Sequence, residues 1–469
     1  SIQAIGWFYF DVIFDESLRC SLGKYDICII LDDIATVLAR LSVLLWRNIN
    51  NIKMTIEMKN KTLLSTSLAL MMALPMQAQM FFGKPKEVSD SAYLAQAQTP
   101  PMGWNSWNKF GCNVSEKLIM DMADKMVETG MKDAGYQYVV IDDCWQVERD
   151  SFGFIQADPD RFPHGMKYLA DYIHSKGLKF GLYSCAGSYT CQGRPGSRGH
   201  QFQDALMYAK WGVDFLKYDW CSDEGQNAQA AYATMSDAIK ESGRPMILSI
   251  CEWGEHEPWK WGKGIGHLWR VTADIRDCYQ CLFDWGGVGV LNVIDKMADL
   301  YLYAGPGHWN DAEMLEVGNG GMTKDEYITH FSMWCMLAAP LMAGNDLTKM
   351  DKDTHEILTN KEVIAVDQDP MGEQGRRFMD MGEKEIWAKP LSNGELAVCF
   401  LNRTDFPWKL DYNWKAQTIY FANEVNIHAN EYVIRDLWKH KDIGTTAQNT
   451  KATIPAHGVL MVRLSKKAK

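Results

Sequence analysis

Three residues at the end of one short apolar run are placed to do chemistry together. In Asp214-Phe215-Leu216-Lys217-Tyr218-Asp219-Trp220-Cys221, positions i, i+2 and i+4 of a strand share a face, so Lys217, Asp219 and Cys221 point the same way. An acid, a base and a thiol are poor material for a core. The same loading recurs along the chain. Asp142 and Asp143 close the run 138–145, and Tyr183 lies in 178–185. Cys251, Glu252 and Trp253 close 245–253. Arg270 and Asp274 lie in 267–275, and Asn310, Asp311 and Glu313 lie in 301–314. Trp107 ends a first run at 102–107, and a last run falls near 337–345. A single acid after a strand is often only a helix cap. Acids after five strands imply a cleft.

The runs that carry these residues alternate with helical patterns. One such pattern opens with Ser115-Glu116 and closes on Gly130, and another, 164–176, stops at Gly177. Strand and helix alternating about eight times over roughly 250 residues predicts a (β/α)8 TIM barrel, whose chemistry sits at the C-terminal ends of the strands. A doubly wound α/β sheet is the alternative, but no glycine-rich phosphate loop follows the first strand. From residue 385 to 464 the pattern is period-two, broken by turns such as Ser392-Asn393-Gly394. This predicts a C-terminal antiparallel β-sandwich domain of roughly eight strands. The expected organisation is a catalytic barrel over 100–368 and a β domain over 369–469.

Upstream, Met58-Lys59-Asn60-Lys61 is basic, 62–74 is apolar, and Gln77-Ala78-Gln79 offers small residues for cleavage. Residues 58–79 therefore read as a signal peptide, and the protein is expected to be exported, to a periplasm or beyond the cell. Residues 1–57 read as over-annotated upstream translation, and 80–99 as a polar, extended lead-in. The apolar stretch at 29–46 is interrupted by Asp32, Asp33 and Arg40, so it is not read as a membrane span.

A formal net charge of −11 argues against nucleic acid and anionic membranes as partners. The only CxxC, Cys278-x-x-Cys281, lacks the four ligands of structural zinc, and no His-rich set falls at the strand ends. No metal and no cofactor are expected. Several acids, one Lys, one Arg and many Trp instead suit carbohydrate, which offers hydroxyls to charged groups and a C–H face to flat rings. The 18 Trp are equally open to core filling. Glycoside hydrolysis needs two carboxyl groups around one bond. Asp219 suits the nucleophile, because the positive charge of Lys217 favours its ionised form. Asp274 and Glu252 compete for the acid, and spacing does not separate them. A catalytically dead sugar-binding protein would lack one of these carboxylates, and a metal-dependent isomerase would need histidine ligands.

Several motifs resemble the α-galactosidases (melibiases) of glycoside hydrolase family 27. They are Pro101-Met102-Gly103-Trp104-Asn105-Ser106-Trp107, Ile141-Asp142-Asp143-Cys144-Trp145, Leu216-Lys217-Tyr218-Asp219, Cys251-Glu252-Trp253-Gly254, Trp269-Arg270-x-x-x-Asp274 and Gly305-Pro306-Gly307-x-Trp309-Asn310-Asp311. They occur in order, from about Thr99 onward. The resemblance implies a barrel with a C-terminal β domain and a retaining exo-hydrolase of α-D-galactosides in oligosaccharides or polysaccharides. It implies Asp219 as nucleophile and Asp274, rather than Glu252, as acid/base. It implies Asp142 and Asp143 at the O4/O6 side of galactose, Lys217 at O3/O4, and Arg270 at O2 with Cys251 and Trp253 nearby. Trp107 is implied against the sugar's apolar face, and Tyr183 in the pocket wall. Cys112–Cys144 and Cys191–Cys221 match the family's disulfides. Three positions depart from the family. Glu313 replaces the usual Asp, His308 a common Gly, and Gly266 a Cys found in some members, which leaves Cys251 expected as free. Relatives acting on α-N-acetylgalactosaminides or β-L-arabinopyranosides are the alternative. Bulky residues at 252–256 and the intact Asp142–Asp143 pair favour galactose.

Overall fold

Eight short strands, most of them buried on both faces, build the first part of the chain. In the computed structural model, residues 88–467 other than Asn423 are described. The predicted signal peptide, the upstream segment and the start of the lead-in lie outside them. The strands are β1 (Met102–Asn105), β2 (Tyr138–Val140), β3 (Lys179–Cys185), β4 (Phe215–Asp219), β5 (Ile247–Cys251), β6 (Leu268–Arg270), β7 (Trp309–Asp311) and β8 (Leu341–Ala343). They pair in parallel in chain order, with β8 beside β1. Two faces buried by helices outside and side chains inside account for near-continuous apolar runs such as Tyr138-Val139-Val140.

The ring closes without a β7–β8 ladder. Leu315, four residues past β7, bridges Ala343 in parallel. Its amide donates to Met342 O at 2.8 Å, and Leu315 O accepts from Gly344 N at 3.1 Å.

Helices α1 (Glu116–Glu128), α2 (Gly165–Ser175), α3 (Gln201–Trp211), α4 (Ala228–Glu241), α5 (Val290–Met297) and α6 (Lys324–Met336) join successive strands. Ser115 caps α1 through its side chain, as its position before the apolar pattern predicts. Between β5 and β6 the connection holds only a 3-10 turn, Pro258–Lys260, so the alternation of strand and helix lapses once. Two further helices, α7 (Lys352–Leu358) and α8 (Lys361–Asp367), follow β8.

The lead-in also departs from an extended segment. Asp90–Leu94 forms a short helix, because the Ser89 side chain accepts from Ala92 N and Asp90 sits in the favourable first turn. Tyr93 from that helix is buried and donates to Ile265 O at 2.8 Å, which ties the segment to the barrel.

The second part comprises β9 (Arg376–Asp380), β10 (Lys384–Leu391), β11 (Glu395–Asn402), β12 (Trp408–Tyr412), β13 (Tyr432–Asp436), β14 (Lys441–Thr445), β15 (Thr450–Ile454) and β16 (Val459–Lys466). Six pair in the order β9-β10-β11-β16-β13-β14, and β12 pairs with β15 in a second sheet. Period-two patterning separates the faces. Leu396, Val398 and Phe400 of β11 enter the sandwich core, while Ala397, Cys399 and Leu401 join the barrel's core. Helix α6 is buried from Thr329 to its end between the two, which is why that part of its sequence lacks a polar stripe. No helix among the described residues is long and apolar enough to cross a membrane.

Candidate active site

The register of the sheet decides which side chains meet. Tyr183, Lys217 and Ser249 are cross-strand neighbours on β3, β4 and β5, and so are Cys185, Asp219 and Cys251 one layer higher. Lys217, Ser249, Cys251, Leu268, Arg270, Asn105, Asp311 and Glu313 line one interior cavity. The i, i+2 argument for Lys217 and Asp219 therefore holds, with both on the inner face. Cys221, the third residue of the sequence pattern, lies past the strand and is disulfide-bonded to Cys191.

Lys217 is the hub of one side. Its Nζ donates to Asp142 Oδ2 at 2.7 Å and lies 5.5 Å from the centre of the Tyr183 ring. The same Asp142 oxygen accepts from Asn105 Nδ2 at 2.8 Å, and Ser106 Oγ accepts from the Asp142 amide. Asp143 turns instead to backbone: its Oδ1 accepts from Cys144 N at 2.7 Å and its Oδ2 from Gln192 N at 3.0 Å. It thereby joins the Cys112–Cys144 disulfide to the loop carrying the Cys191–Cys221 disulfide. Burial raises the Asp143 carboxyl above its ordinary range.

Asp219 is almost fully buried. Tyr183 Oη donates to its Oδ2 at 2.8 Å and Trp220 N to its Oδ1 at 2.9 Å. Burial pushes its carboxyl up to about 6, against the pull of Lys217 and with help from the charge of Asp274. Lys217 was expected to keep Asp219 ionised. It lowers the value as expected, but desolvation outweighs it, and the ammonium is committed to Asp142.

Arg270 is the hub of the other side. It is buried, and it donates from Nη1 to Glu313 Oε1 at 2.7 Å and from Nη2 to Thr272 O at 3.1 Å and Asp274 Oδ1 at 3.2 Å. Cys251 Sγ is 3.5 Å from Nη1; this cysteine is unpaired, as expected. Arg270 Nε faces no partner. Burial alone pushes the Asp274 carboxyl up, but Arg270, then Lys217, outweigh it and hold the group below its ordinary range. Glu313 is raised by burial despite Arg270. Because the Arg270–Glu313 pair is desolvated, removing one partner strands a charge. Glu313→Ala is expected to cost about 3 kcal/mol of stability, measured by urea unfolding; an unchanged midpoint refutes a paired charge here.

Glu252 goes elsewhere. Its Oε2 accepts from the His256 amide at 2.7 Å and faces His256 Nδ1 at 3.0 Å, so of the two competing acids only Asp274 touches the Arg270 cluster. Trp253 and Trp107 are half-buried at the strand ends, and the Trp107 amide donates to Asn105 Oδ1 at 2.8 Å. Cys144, Trp253 and Glu313, which follow β2, β5 and β7, hold φ of 77°, 60° and 76°. Left-handed backbone at non-glycine residues costs of order 1 kcal/mol or more and concentrates where geometry is imposed. Gly254 continues the Trp253 turn at φ 78°, where a Cβ would lie 2.4 Å from Val271 O.

His308 precedes β7, with its ring against Trp269 and Nδ1 3.0 Å from Pro306 O. It belongs to the opposite end of the barrel from the site. Asn105 was not singled out from sequence, although it lies in a quoted motif, and Asp311 was named among the acids after the seventh run without being given a role. Their signal was position, at the last residue of β1 and of β7. Asp219, Cys191 and Cys221 crowd together as metal ligands do, but both sulfurs are in one disulfide and offer no thiolate.

The model of a family described as Alpha galactosidase A matches residues 99–369, and one described as Alpha galactosidase C-terminal beta sandwich domain matches 381–464. Alpha-galactosidase A of Cellvibrio japonicus is 52% identical over 387 residues, spanning 81% of this chain and 95% of that protein. The crystal structure of α-galactosidase I from Mortierella vinacea is similar at a TM-score of 0.75 and 41% identity, covering 80% of this chain and 98% of that one. A Saccharomyces cerevisiae α-galactosidase solved with raffinose gives a TM-score of 0.75 at 32% identity, covering 80% and 99%. The chain belongs to the α-galactosidase (melibiase) family, glycoside hydrolase family 27.

Proposed function

We propose that the protein removes terminal α-D-galactose from oligosaccharides or polysaccharides, with retention of configuration. The observation that supports this reading is a pair of carboxyls, Asp219 and Asp274, near enough for the charge of Asp274 to act on Asp219, both under the influence of Lys217, with Asp274 also bonded to Arg270. Asp219 attacks the anomeric carbon and expels the aglycone, whose oxygen takes a proton from Asp274. Water, deprotonated by Asp274, then hydrolyses the galactosyl ester. Asp142 and Asp143 take the O4/O6 side and Lys217 the O3/O4 side. Arg270 takes O2, with Cys251, Trp253 and Glu313 around it. Trp107 covers the apolar face, and Tyr183 lines the pocket and donates to the nucleophile. When Arg270 turns a donor to O2 it loosens its hold on Asp274, which favours the protonated form needed of an acid.

The two carboxyls are expected to titrate as a pair, with only the singly protonated pair active. The last proton leaves as pH rises through about 6, the value to which burial lifts Asp219. Above it no acid remains; far below it both groups are protonated and no nucleophile remains. We expect kcat/KM to be bell-shaped and to fall about tenfold per pH unit above that point. A rate flat from pH 5 to pH 8 contradicts such a pair.

The bulky Glu252, Trp253, Glu255 and His256, with Glu252 bonded to His256, support galactose over N-acetylgalactosamine. A panel of nitrophenyl α-galactoside, α-N-acetylgalactosaminide and β-L-arabinopyranoside tests this. Preference for either of the last two replaces the galactoside reading. Export is part of the proposal and is supported by three disulfides, Cys112–Cys144, Cys191–Cys221 and Cys278–Cys281.

A further inference from the structure

The loop after β6 carries Asp274 and, beyond it, features that the reaction does not use. Leu282, Phe283 and Trp285 are 73%, 42% and 56% exposed, three large apolar side chains within four positions. They stand on the face of the barrel where the strands end. Phe283 and Trp285 stack at 5.8 Å and 26°, and the Arg276 guanidinium lies 4.5 Å from the Trp285 ring. This ledge is built rather than loose. Val288 N donates to Asp274 O at 3.0 Å and Arg276 N to Val288 O at 2.8 Å, so the strip bearing the aromatics is bonded directly to the backbone of Asp274. Leu282 and Val288 bridge antiparallel, and Phe283 N donates to Gly287 O at 2.8 Å. The Cys278–Cys281 disulfide closes the other end, and Val290 N and Leu291 N at the start of α5 donate to Cys278 O and Tyr279 O. Asp277 accepts from Gly321 N and Tyr327 Oη, clamping the loop to its neighbour.

A general acid lies beside the oxygen of the leaving group, so whatever is fixed to its backbone faces the aglycone rather than the galactose. A flat, exposed, rigidly held aromatic pair is matched by the C–H face of a pyranose. We propose that Leu282, Phe283 and Trp285 form a binding platform for the first aglycone sugar, which makes the enzyme selective for galactose attached to another sugar rather than to a small leaving group. This inference rests on the galactosidase reading above.

The test compares α-galactosyl fluoride, whose leaving group has no ring, with raffinose. For Trp285→Ala, kcat/KM on raffinose is expected to fall about tenfold, while the fluoride changes by less than about twofold. Trp285→Phe, which keeps a flat ring, restores most of the loss. Tyr420→Ala, an exposed aromatic of the sandwich domain, leaves both substrates unchanged. Equal losses on the two substrates for Trp285→Ala, or no loss on either, overturn the platform while leaving the galactosidase reading intact. A wild-type enzyme inactive on both overturns that reading and the platform with it.

Discussion

Asp219→Gly is expected to lower kcat on nitrophenyl α-galactoside by about 10⁴-fold or more, the loss seen when a covalent nucleophile is removed. The position explains the size. Asp219 is buried and receives hydrogen bonds from Tyr183 and Trp220, and the nearby Asp142 is held by Lys217 and Asn105. Glycine leaves a small space next to the anomeric carbon. Added azide should enter it, attack opposite the aglycone and give β-galactosyl azide, an inverted product, with activity partly restored. Formation of α-galactosyl azide instead removes Asp219 from the nucleophile's role.

Asp274→Ala is expected to behave differently on different leaving groups. Loss of a general acid costs about 10²- to 10⁴-fold, with the larger figure for a sugar aglycone that must be protonated and the smaller for nitrophenolate. The second step also slows, because no base activates water, so the galactosyl ester accumulates and a burst of nitrophenolate should precede the steady state. Azide needs no base, so it should attack that ester on the face the aglycone left and give α-galactosyl azide. The basic limb of the pH profile should vanish. An equal loss on all leaving groups, with the limb retained, assigns Asp274 to structure alone. The opposite anomers expected from the two azide experiments separate the two carboxyls more sharply than rates can.

The strand ends were legible because polar residues interrupted apolar runs at fixed positions, and period two put Lys217 and Asp219 on one face. What failed to show was anything set by contacts across the barrel. By spacing Glu252 and Asp274 have equal standing as acids; the resemblance of the motifs favours Asp274, and the physical difference lies in the hydrogen bonds of His256 to Glu252 and of Arg270 to Asp274. Asn105 and Asp311 are short polar residues with no distinctive spacing. The Trp content was ambiguous for the same reason. Trp104, Trp145, Trp269, Trp309 and Trp334 are fully buried, whereas Trp107, Trp253 and Trp285 are not, and composition cannot separate these classes. The missing helix between β5 and β6 went unread because Pro258-Trp259-Lys260 looks like any turn-rich start to a helix. Cys278–Cys281 was weighed only as a metal pair, although an oxidising environment offered the disulfide.

The hoop of the barrel is fastened at one place by a single residue. Leu315 joins β8 from a loop, two positions beyond the carboxylate that holds Arg270. A ring fastened by so short a splice opens there before it opens across any full ladder, so the amides of Leu315 and Gly344 should exchange with deuterium sooner than those of β4 and β5. On the proposed reading galactose held by Arg270 steadies that loop through Glu313, so saturating sugar is expected to slow exchange at the splice more than in the central strands.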